Sequence, residues 1–313
     1  MRGARKGSNI LTNLMETQDF IYCFAATPSP SALPRRGRGL NPPLPAGEGL
    51  GVREFFAAKQ SGLYRSTDGG QTWSDAYTAL KLAAPLPTQA VAVTVVDEVT
   101  YVFAAVEGRI LRSLDGGQTW EIASLDSPAP LVTALAVSPD FTSDGTLLAA
   151  TMQDGIFRST DRGVSWTGWN FGLYDPNINA LAFVDAQKVV AGTQSGVFVS
   201  INAGHSWRDT DFPLESAPVQ CVAVSGDKVI YAGTQADGLF ASRDAGKTWE
   251  TVCAGAVEQI HIHNGKIFIL NDGNLLFSDD GKDWQTREFD GEISAFIAEP
   301  LLLGLANGEC IHG

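Results

Sequence analysis

The sequence lacks long apolar runs and has few residues of the kinds that form disulfides or metal sites. No apolar run reaches 18 residues, so we predict no transmembrane helix. The four cysteines lack metal-site spacing. His261 and His263 alternate and could share one metal, but neither His205 nor His312 offers an obvious third ligand. We therefore expect no metal and no cofactor. The basic start of the sequence is not followed by an apolar leader segment, so we expect a location in the reducing cytoplasm.

The chain also has little positive charge. It contains 22 Lys and Arg against 35 Asp and Glu, a net charge of −13. The first 58 residues hold seven basic and four acidic groups, which leaves 15 basic and 31 acidic groups in the rest. Such a chain repels nucleic acid and anionic membrane surfaces. We therefore expect a protein partner or a glycan, no nucleic acid, no membrane insertion, and a monomer.

What the sequence does have is an eight-residue phrase that recurs. S-T-D-G-G-Q-T-W begins at Ser66, related phrases begin at 113, 159, 200 and 242, and a copy one residue shorter begins at 278. Their third residues recur every 36 to 47 residues, a period typical of propeller blades. The acidic side chain can accept hydrogen bonds within its own turn, and the tryptophan begins the next strand. We predict structural roles for Asp68, Trp73, Asp115, Trp120, Asp161, Trp166, Asn202, Trp207, Asp244, Trp249, Asp280 and Trp284.

Between the phrases, each period reads as short apolar strands separated by glycine. Three such runs precede each phrase and a fourth strand carries its tryptophan. After the sixth phrase come three more runs and no fourth. The pattern predicts an all-β fold, a seven-bladed β-propeller of four-stranded antiparallel blades with an incomplete last blade.

The phrase S-x-D-x-G-x-x-W resembles the Asp-box, or BNR repeat, of the sialidase superfamily, and the resemblance extends from Phe20 onward. Asn202 and the short sixth copy depart from the pattern, so we expect looser turns there. The resemblance implies either a binding or assembly propeller, as in sortilin-type receptors and photosystem II assembly factors, or a glycoside hydrolase of the sialidase or xyloglucan-cleaving kind.

The catalytic residues that the resemblance would imply are not visible. Sialidase chemistry uses three arginines, a Tyr–Glu pair, an acidic residue and an R-I-P motif. Arg65, Arg112 and Arg158 occupy the same slot of successive repeats, so they cannot converge on one ligand, and we interpret them as solvated surface residues. We therefore interpret the chain as a non-catalytic protein-binding or glycan-binding scaffold. The hydrolase is the alternative, and a decayed reading frame is a third possibility.

A proline-rich stretch interrupts the first blade. Thr27 to Ala58 hold six of the fifteen prolines, and the triplet at Phe24–Ala26 recurs at Phe56–Ala58. Joining Ala26 to Lys59 restores a match to the second blade. We predict one propeller domain over 1–313, interrupted at 27–58 by a disordered insertion between the second and third strands. A functional surface loop is the alternative.

Two sets of residues are candidates for binding. Polar residues begin the innermost strands and could form one ring at a channel mouth; the alternative is that strand starts are polar because they emerge into water. A long connection over 167–177 carries aromatic residues that could stack on sugars or peptides, or could cover a blade edge. The mouth set is Gln89, Thr133, Asn179, Gln220, Glu258 and Ser294, and the loop set is Trp169, Phe171 and Tyr174.

Overall fold

Seven antiparallel sheets follow one another along the chain. The computed structural model describes residues 19–28, 53–125, 130–214 and 217–313. We number the sheets as blades one to seven in chain order. Blade one has β1 (Ile21–Ala26), β2 (Phe55–Lys59), β3 (Gly62–Ser66) and β4 (Ser74–Asp75); blade two has β5 (Ala90–Val96), β6 (Val99–Val106), β7 (Arg109–Ser113) and β8 (Glu121–Ser124); blade three has β9 (Leu131–Val137), β10 (Leu147–Met152), β11 (Ile156–Ser159) and β12 (Thr167–Gly168); blade four has β13 (Ile178–Phe183), β14 (Val189–Thr193), β15 (Gly196–Ser200) and β16 (Arg208–Asp209). Blade five has β17 (Val219–Val224), β18 (Ile230–Thr234), β19 (Leu239–Ser242) and β20 (Glu250–Cys253); blade six has β21 (Val257–His263), β22 (Lys266–Asn271), β23 (Asn274–Ser278) and β24 (Gln285–Arg287); and blade seven has β25 (Ile293–Ala298), β26 (Leu301–Leu305) and β27 (Cys310–His312).

This architecture confirms the predicted fold class. Blades one to six have four strands and blade seven has three, each strand pairing with the next in sequence. Helix is confined, in the described ranges, to a 3-10 turn at Thr78–Leu80 and one α-helical turn, α1, at Phe141–Asp144. No helix among these residues is long and apolar enough to cross a membrane.

The innermost strands form a closed ring. Each contacts the innermost strand of the next blade, and β25 of blade seven contacts β1 of blade one. Glycine permits this close approach: a Cβ at Gly192 would lie 2.7 Å from Val219 of the next blade, and one at Gly304 would lie 2.8 Å from Ile21. The ring therefore closes by packing of blade seven on blade one.

The core is divided among the junctions between blades. Seven clusters of buried apolar side chains occur in the described residues, one for each pair of adjacent blades. Because a blade's two faces both meet neighbours, second strands such as β2 and β14 are buried along their whole length. This explains their nearly continuous apolar sequences.

Blade one differs from its predicted layout. Ile21–Ala26 is the innermost strand, and Phe55–Lys59 is the second strand, with Cys23 opposite Ala58 and Phe24 opposite Ala57. The assignment of Phe55–Ala58 to an excluded insertion was therefore wrong, because these residues are buried between blades. The backbone N–H of Thr27 donates to the Glu54 carbonyl at 3.0 Å, which closes the β1–β2 loop. Residues 29–52 lie outside the described residues, so disorder there stays a prediction.

Candidate binding site

Each repeated phrase, hereafter a box, forms the turn between the third and fourth strands of its blade. In the first box, the Ser66 hydroxyl donates to Asp68 Oδ1 at 2.7 Å and accepts the Gly70 N–H at 2.8 Å. Asp68 Oδ1 also accepts the backbone N–H groups of Gln71 and Thr72 at 3.0 and 2.9 Å. Serine and carboxylate together satisfy the donors of the turn, which is why the phrase needs both.

These hydrogen bonds hold the box carboxyl groups ionised. The Thr248 hydroxyl, the Thr248 N–H and the Ser242 hydroxyl lower the pKa of Asp244 to about 2. Burial by itself raises the pKa of Asp115, but hydrogen bonds from Thr119 and Ser113 outweigh it and leave that pKa below its usual value. Because their lone pairs are used inside the turn, the box aspartates serve as scaffold groups.

The two divergent boxes differ from the others in detail. Asn202 Oδ1 accepts one backbone amide, from Ser206 at 2.9 Å, while the His205 N–H turns to the Asn202 carbonyl. In the short box, Asp280 Oδ1 still accepts two amides, from Lys282 and Asp283 at 2.8 and 3.1 Å. The asparagine box has therefore lost one hydrogen bond of the turn, whereas the short box keeps two amides on its carboxylate.

Each box tryptophan lies at the junction with the preceding blade. Trp120 of blade two donates through Nε1 to the Ala76 carbonyl of blade one at 2.8 Å and meets Tyr77 edge to face at 5.4 Å. Trp166 belongs to a cluster with Phe103 of blade two. The tryptophans thus join blades and are not displayed for a ligand.

The repeated arginines also face the next blade. A Cβ at Gly116, in the box of blade two, would lie 3.4 Å from Arg65 Nη2 of blade one. Arg65 pairs with Glu54 at 2.5 Å and Arg112 pairs with Glu121 at 2.6 Å. Both arginine side chains are at most one-fifth exposed. The interpretation of these arginines as solvated surface residues was wrong, because each is half-buried beside the next box.

The predicted mouth residues lie where the innermost strands are irregular. The pairing register between first and second strands skips one residue in six blades, and the skipped residue is left unpaired as a β-bulge. Gln89 is the exception, since it precedes the regular strand β5. All start an innermost strand, so they lie at one end of the ring. The unpaired residues are Tyr22, Thr133, Asn179, Gln220, Glu258 and Ser294.

Part of this polar ring bonds one blade to the next. Thr133 Oγ1 donates to the Ile178 carbonyl at 2.5 Å, and Asn179 Nδ2 donates to the Val219 carbonyl at 2.9 Å. Both acceptors belong to the innermost strand of the following blade. The ring is therefore partly a structural seam, and its role in binding stays a prediction.

Two other innermost-strand residues that bond to the next blade were not predicted from the sequence. Gln259 Oε1 accepts the Phe296 N–H of blade seven at 2.9 Å, and Cys221 Sγ donates to the Val257 carbonyl at 3.4 Å. Burial raises the pKa of the Cys221 thiol. Their position directly after a bulge residue was the available signal.

Glu258 is the one acidic residue of the predicted mouth set, and its pKa is shifted. Its side chain is exposed, yet partial burial and, to a lesser degree, the nearby Asp272 carboxylate raise its pKa above the usual value. Burial disfavours the charged form of a carboxyl group, which is the direction seen here.

The aromatic loop, residues 169–174, is fixed to its surroundings through its backbone. The Trp207 N–H donates to the Phe171 carbonyl at 2.8 Å, and Trp207 Nε1 donates to the Trp169 carbonyl at 3.1 Å. Gly172 has a φ of 83°, and a Cβ there would lie 2.1 Å from the Trp207 carbonyl oxygen, so only glycine fits. The loop is thus anchored on the box tryptophan of blade four.

The three rings of this loop have different neighbours. Trp169 lies over His205, with ring centroids 4.6 Å apart, and His205 Nε2 contacts Arg158 Nη1 at 2.7 Å. Tyr174 meets Phe198 edge to face at 4.8 Å. Its hydroxyl donates to the Asp209 carboxylate at 2.5 Å, which raises the pKa of Tyr174 to about 12.

The exposed fractions of the three rings bear on whether the loop is available to a ligand or covers a blade edge. Trp169, Phe171 and Tyr174 are 39%, 81% and 65% exposed. Trp169 and Tyr174 cover the edge of blade four with one face, whereas Phe171 covers little. The loop is therefore both a cover for blade four and an exposed aromatic surface.

The remaining candidates do not assemble into a site. His261 lies against Phe296 of blade seven and burial lowers its pKa to about 4, while His263 contacts the Glu299 carboxylate. No group of three His, Cys, Asp or Glu side chains in the described ranges could hold a metal. The four cysteines are free and half-buried.

The fold and its boxes define an Asp-box β-propeller. A model of the BNR/Asp-box repeat matches residues 64–75, which confirms the resemblance drawn from the phrase. No curated protein sequence matches the chain.

Solved structures similar to this chain come from several kinds of protein. The extracellular domain of a putative one component system from B. thetaiotaomicron has a TM-score of 0.69 and 14% identity, and the match covers 94% of this chain and 38% of that one. The GH74 xyloglucanase from Xanthomonas campestris has a TM-score of 0.66 and 18% identity, over 91% and 50% of the two chains. YCF48 from Cyanidioschyzon merolae has a TM-score of 0.62 and 14% identity, over 95% of both. At these identities the likeness shows the fold alone.

Proposed function

We propose that the chain is a non-catalytic scaffold that binds a segment of a partner protein on the aromatic loop. Phe171 carries the proposal, because its ring is 81% exposed while its backbone is fixed by Trp207. A rigid backbone loses little conformational freedom when a partner binds. Exposed aromatic side chains on such a backbone are typical of the anchor residues of protein interfaces.

The surroundings of Phe171 support a protein partner. The rings of Trp169 and Tyr174 extend the apolar surface on either side. Asp209 and Arg158 border it with opposite charges. Apolar rings with a charged rim are the usual composition of a protein interface. A similar propeller, YCF48, has been solved bound to the D1 peptide, with a TM-score of 0.60 and 16% identity to this chain.

The loop is favoured over the polar ring as the principal site. Thr133 and Asn179 already use donors in bonds to the next blade, which leaves fewer groups for a ligand. Gln220 and Glu258 remain candidates for a secondary contact at that end of the ring.

The first test is affinity capture from the source lysate with wild-type protein and the Phe171→Ser variant, followed by titration of the purified captured protein. We expect Phe171→Ser to weaken that titrated affinity at least tenfold, because a hot-spot aromatic contributes about 2 kcal/mol or more. Ile201→Ser, at a residue 57% exposed in the box of blade four, is the matched control and should bind normally.

Two other results would contradict the proposal. Equal affinity of Phe171→Ser and wild type would remove the loop from the interface. Release of sugars from xyloglucan by wild type, lost in Glu258→Gln, would support the hydrolase alternative and assign the raised pKa of Glu258 to an acid catalyst.

A further inference from the structure

One position of the blades holds an arginine three times and an alanine once. The residue that directly precedes the box serine is Arg65, Arg112 and Arg158 in blades one to three, and each of these side chains lies beside the box of the following blade. In blade five the same residue is Ala241, which is buried. Blade five therefore lacks the long side chain that extends to the next box in the first three blades.

The other side chains of blade five do not come as close to the next box either. In each full-length box, a Cβ on the glycine in the fifth position would lie between 2.6 and 3.3 Å from a side chain of the preceding blade. The counterpart in the short box of blade six is Gly281, where a Cβ would have as its nearest neighbour Ile267 of the same blade, at 3.5 Å. The described part of the chain thus has a gap between blade five and the box of blade six. The five full-length boxes have Gly70, Gly117, Gly163, Gly204 and Gly246.

A polar pocket occupies this gap. It has a volume of about 330 Å³, and its lining includes Tyr231, Ala241 and Glu250 of blade five and Asp280 and Gly281 of the box. Ligand pockets in proteins range from about 300 to 1,000 Å³. The pocket therefore has the size for a small molecule or for one side chain of a partner.

The hydroxyl of Tyr231 is the first unused hydrogen-bonding group of the pocket. Tyr231 is 6% exposed, and its hydroxyl makes no hydrogen bond to any described residue. Among these residues, the other two buried tyrosines both have a partner, since Tyr77 bonds to Thr88 and Tyr101 accepts from Arg162. Because a buried hydroxyl without a partner is destabilising, the Tyr231 hydroxyl points to a ligand in the pocket.

A carboxylate oxygen of the box is the second such group. In the full-length boxes with an aspartate, the hydroxyl of the residue before the tryptophan donates to Oδ2 of that aspartate, as Thr248 does to Asp244. The short box has Asp283 before its tryptophan, and a carboxylate cannot donate. Asp280 Oδ1 accepts the hydrogen bonds of this turn, which leaves Oδ2 without a partner in the described ranges.

Glu250 supplies the third group. It lies opposite Ala241 in the strand register, as Glu121 lies opposite Arg112 in blade two. In blade two this register pair is a salt bridge of 2.6 Å. In blade five, Glu250 Oε1 accepts instead from Arg243 at 3.2 Å, in a pair whose side chains are both more than half exposed, and Oε2 has no partner among the described residues. Such an exposed pair adds little to stability, so Glu250 is available to a second cation.

A guanidinium group fits these three acceptors. It has five N–H donors and no acceptor, and its planar face can stack on an aromatic ring. Blade two shows this arrangement within the chain, because the Arg112 guanidinium pairs with Glu121 and lies 6.0 Å from the ring centroid of Tyr101. The pocket beside blade five has the carboxylate and the aromatic ring without the arginine.

Two cations also line the pocket and define the competing hypothesis. Arg243 and Lys282 could attract an anion. The carboxylates of Glu250 and Asp280 oppose such an occupant, because their free oxygens can only accept hydrogen bonds. These oxygens favour a cation that donates, and the choice of variants separates the two hypotheses.

We propose that the pocket between blade five and the box of blade six binds a guanidinium group. The group belongs either to a small molecule or to an arginine side chain of a partner protein, and it donates to Tyr231 Oη, Glu250 Oε2 and Asp280 Oδ2. It takes the place beside the box that the chain's own arginines take in blades one to three. The proposal goes beyond the proposed function and uses none of the residues of the aromatic loop.

The test compares arginine with its uncharged isostere. In calorimetric titrations of the full chain with N-acetyl-L-arginine methylamide, we expect saturable binding, and at least tenfold weaker binding of the same compound made from citrulline. Absence of binding, or equal binding of the two compounds, would overturn the proposal. Tighter binding of free L-arginine than of the capped form would assign the site to a small molecule, and the reverse order would assign it to a side chain of a partner.

Three variants locate the site. Tyr231→Phe removes only the unpartnered hydroxyl, so it should melt at the wild-type temperature and weaken binding at least fivefold. Glu250→Gln should weaken binding at least tenfold, and Glu107→Gln, at an exposed residue of blade two, is the matched control that should stay within twofold. Ala241→Arg supplies a guanidinium from the chain itself and should abolish binding. Phe171→Ser should bind capped arginine normally, which separates this proposal from the proposed function.

Arg243 distinguishes a guanidinium site from an anion site. Arg243→Ala removes a competing cation from Glu250, so we expect it to bind capped arginine at least as tightly as the wild type does. If the wild type instead binds sulfate and not capped arginine, and Arg243→Ala loses the sulfate, the pocket is an anion site and the proposal is wrong.

Discussion

At the scale of single residues, the box tryptophans stabilise the junctions between blades. Trp120 fills the space between blades one and two, contacts Tyr77 and bonds to the Ala76 carbonyl. We expect Trp120→Ala to lower the free energy of unfolding by about 3–5 kcal/mol, as for other core tryptophan truncations. Urea denaturation measures the loss, with Ile122→Ala, at an exposed residue, as the control that should change little. A normal unfolding midpoint for Trp120→Ala would mean that the box is not scaffold.

Also at this scale, we expect the Asn179 side chain to stabilise the junction between blades four and five. Its Nδ2 donates to the Val219 carbonyl, and its Oδ1 accepts from Gln194 at 3.2 Å. We expect Asn179→Ala to cost about 1 kcal/mol, the usual net value of a lost hydrogen bond. Thermal unfolding is the measurement. Gln220→Ala, at the equivalent bulge, has no side-chain hydrogen bond among the described residues and should unfold at nearly the wild-type temperature.

At the scale of strands and turns, the sequence was informative wherever a pattern is local. The box is a turn whose donors and acceptors all lie within eight residues, so its geometry follows from S-x-D-x-G-x-x-W alone. The polar strand starts were also visible, because a bulged residue leaves the ladder and is free to be polar. What the sequence could not show is the hydrogen-bond partner of Thr133 or Gln259, since that partner belongs to another blade and depends on how the ring closes.

The strand β1 was predicted as the second strand of blade one, whereas it is the first. This error has the same origin, because sequence similarity is local and strand pairing is not. Cys23–Ala26 and Phe55–Lys59 both resemble the second strand of blade two, Val99–Val106, so either could be placed there. Pairing distinguishes them: Phe55–Lys59 lies between two strands and is fully buried, whereas β1 has Tyr22 39% exposed on the inner side of its sheet. Local similarity suggested a duplication, and only the order of strands in the sheet assigns each copy.

At the scale of the whole molecule, closure rests on contacts that differ from those elsewhere in the ring. Leu302 of blade seven packs against Gly70 in the box of blade one, Lys59 Nζ donates to the Gly308 carbonyl, and Arg53 donates to the Glu299 carbonyl. The junction between blades seven and one thus contains a box tryptophan, Trp73, whereas the cluster between blades six and seven contains no tryptophan among the described residues. Blade seven is nevertheless packed on both neighbours, since Phe296 and Leu303 are fully buried against blade six.

The length of the loop between β1 and β2 should matter little to this closed ring. Ala26 pairs with Phe55 and the Thr27 N–H bonds to the Glu54 carbonyl, so the two strands already meet at residues 27 and 54. We expect replacement of residues 29–52 by two glycines to leave the fold intact and to raise stability by about 1 kcal/mol, because a 28-residue connection becomes one of six. Removal of Thr27–Ala58 should instead prevent folding, because it deletes most of β2 and the buried side chains of Phe55 and Phe56. Circular dichroism and thermal melts of the two deletions measure the difference, and a loss of several kcal/mol for the shorter deletion would show that residues 29–52 contribute to the propeller.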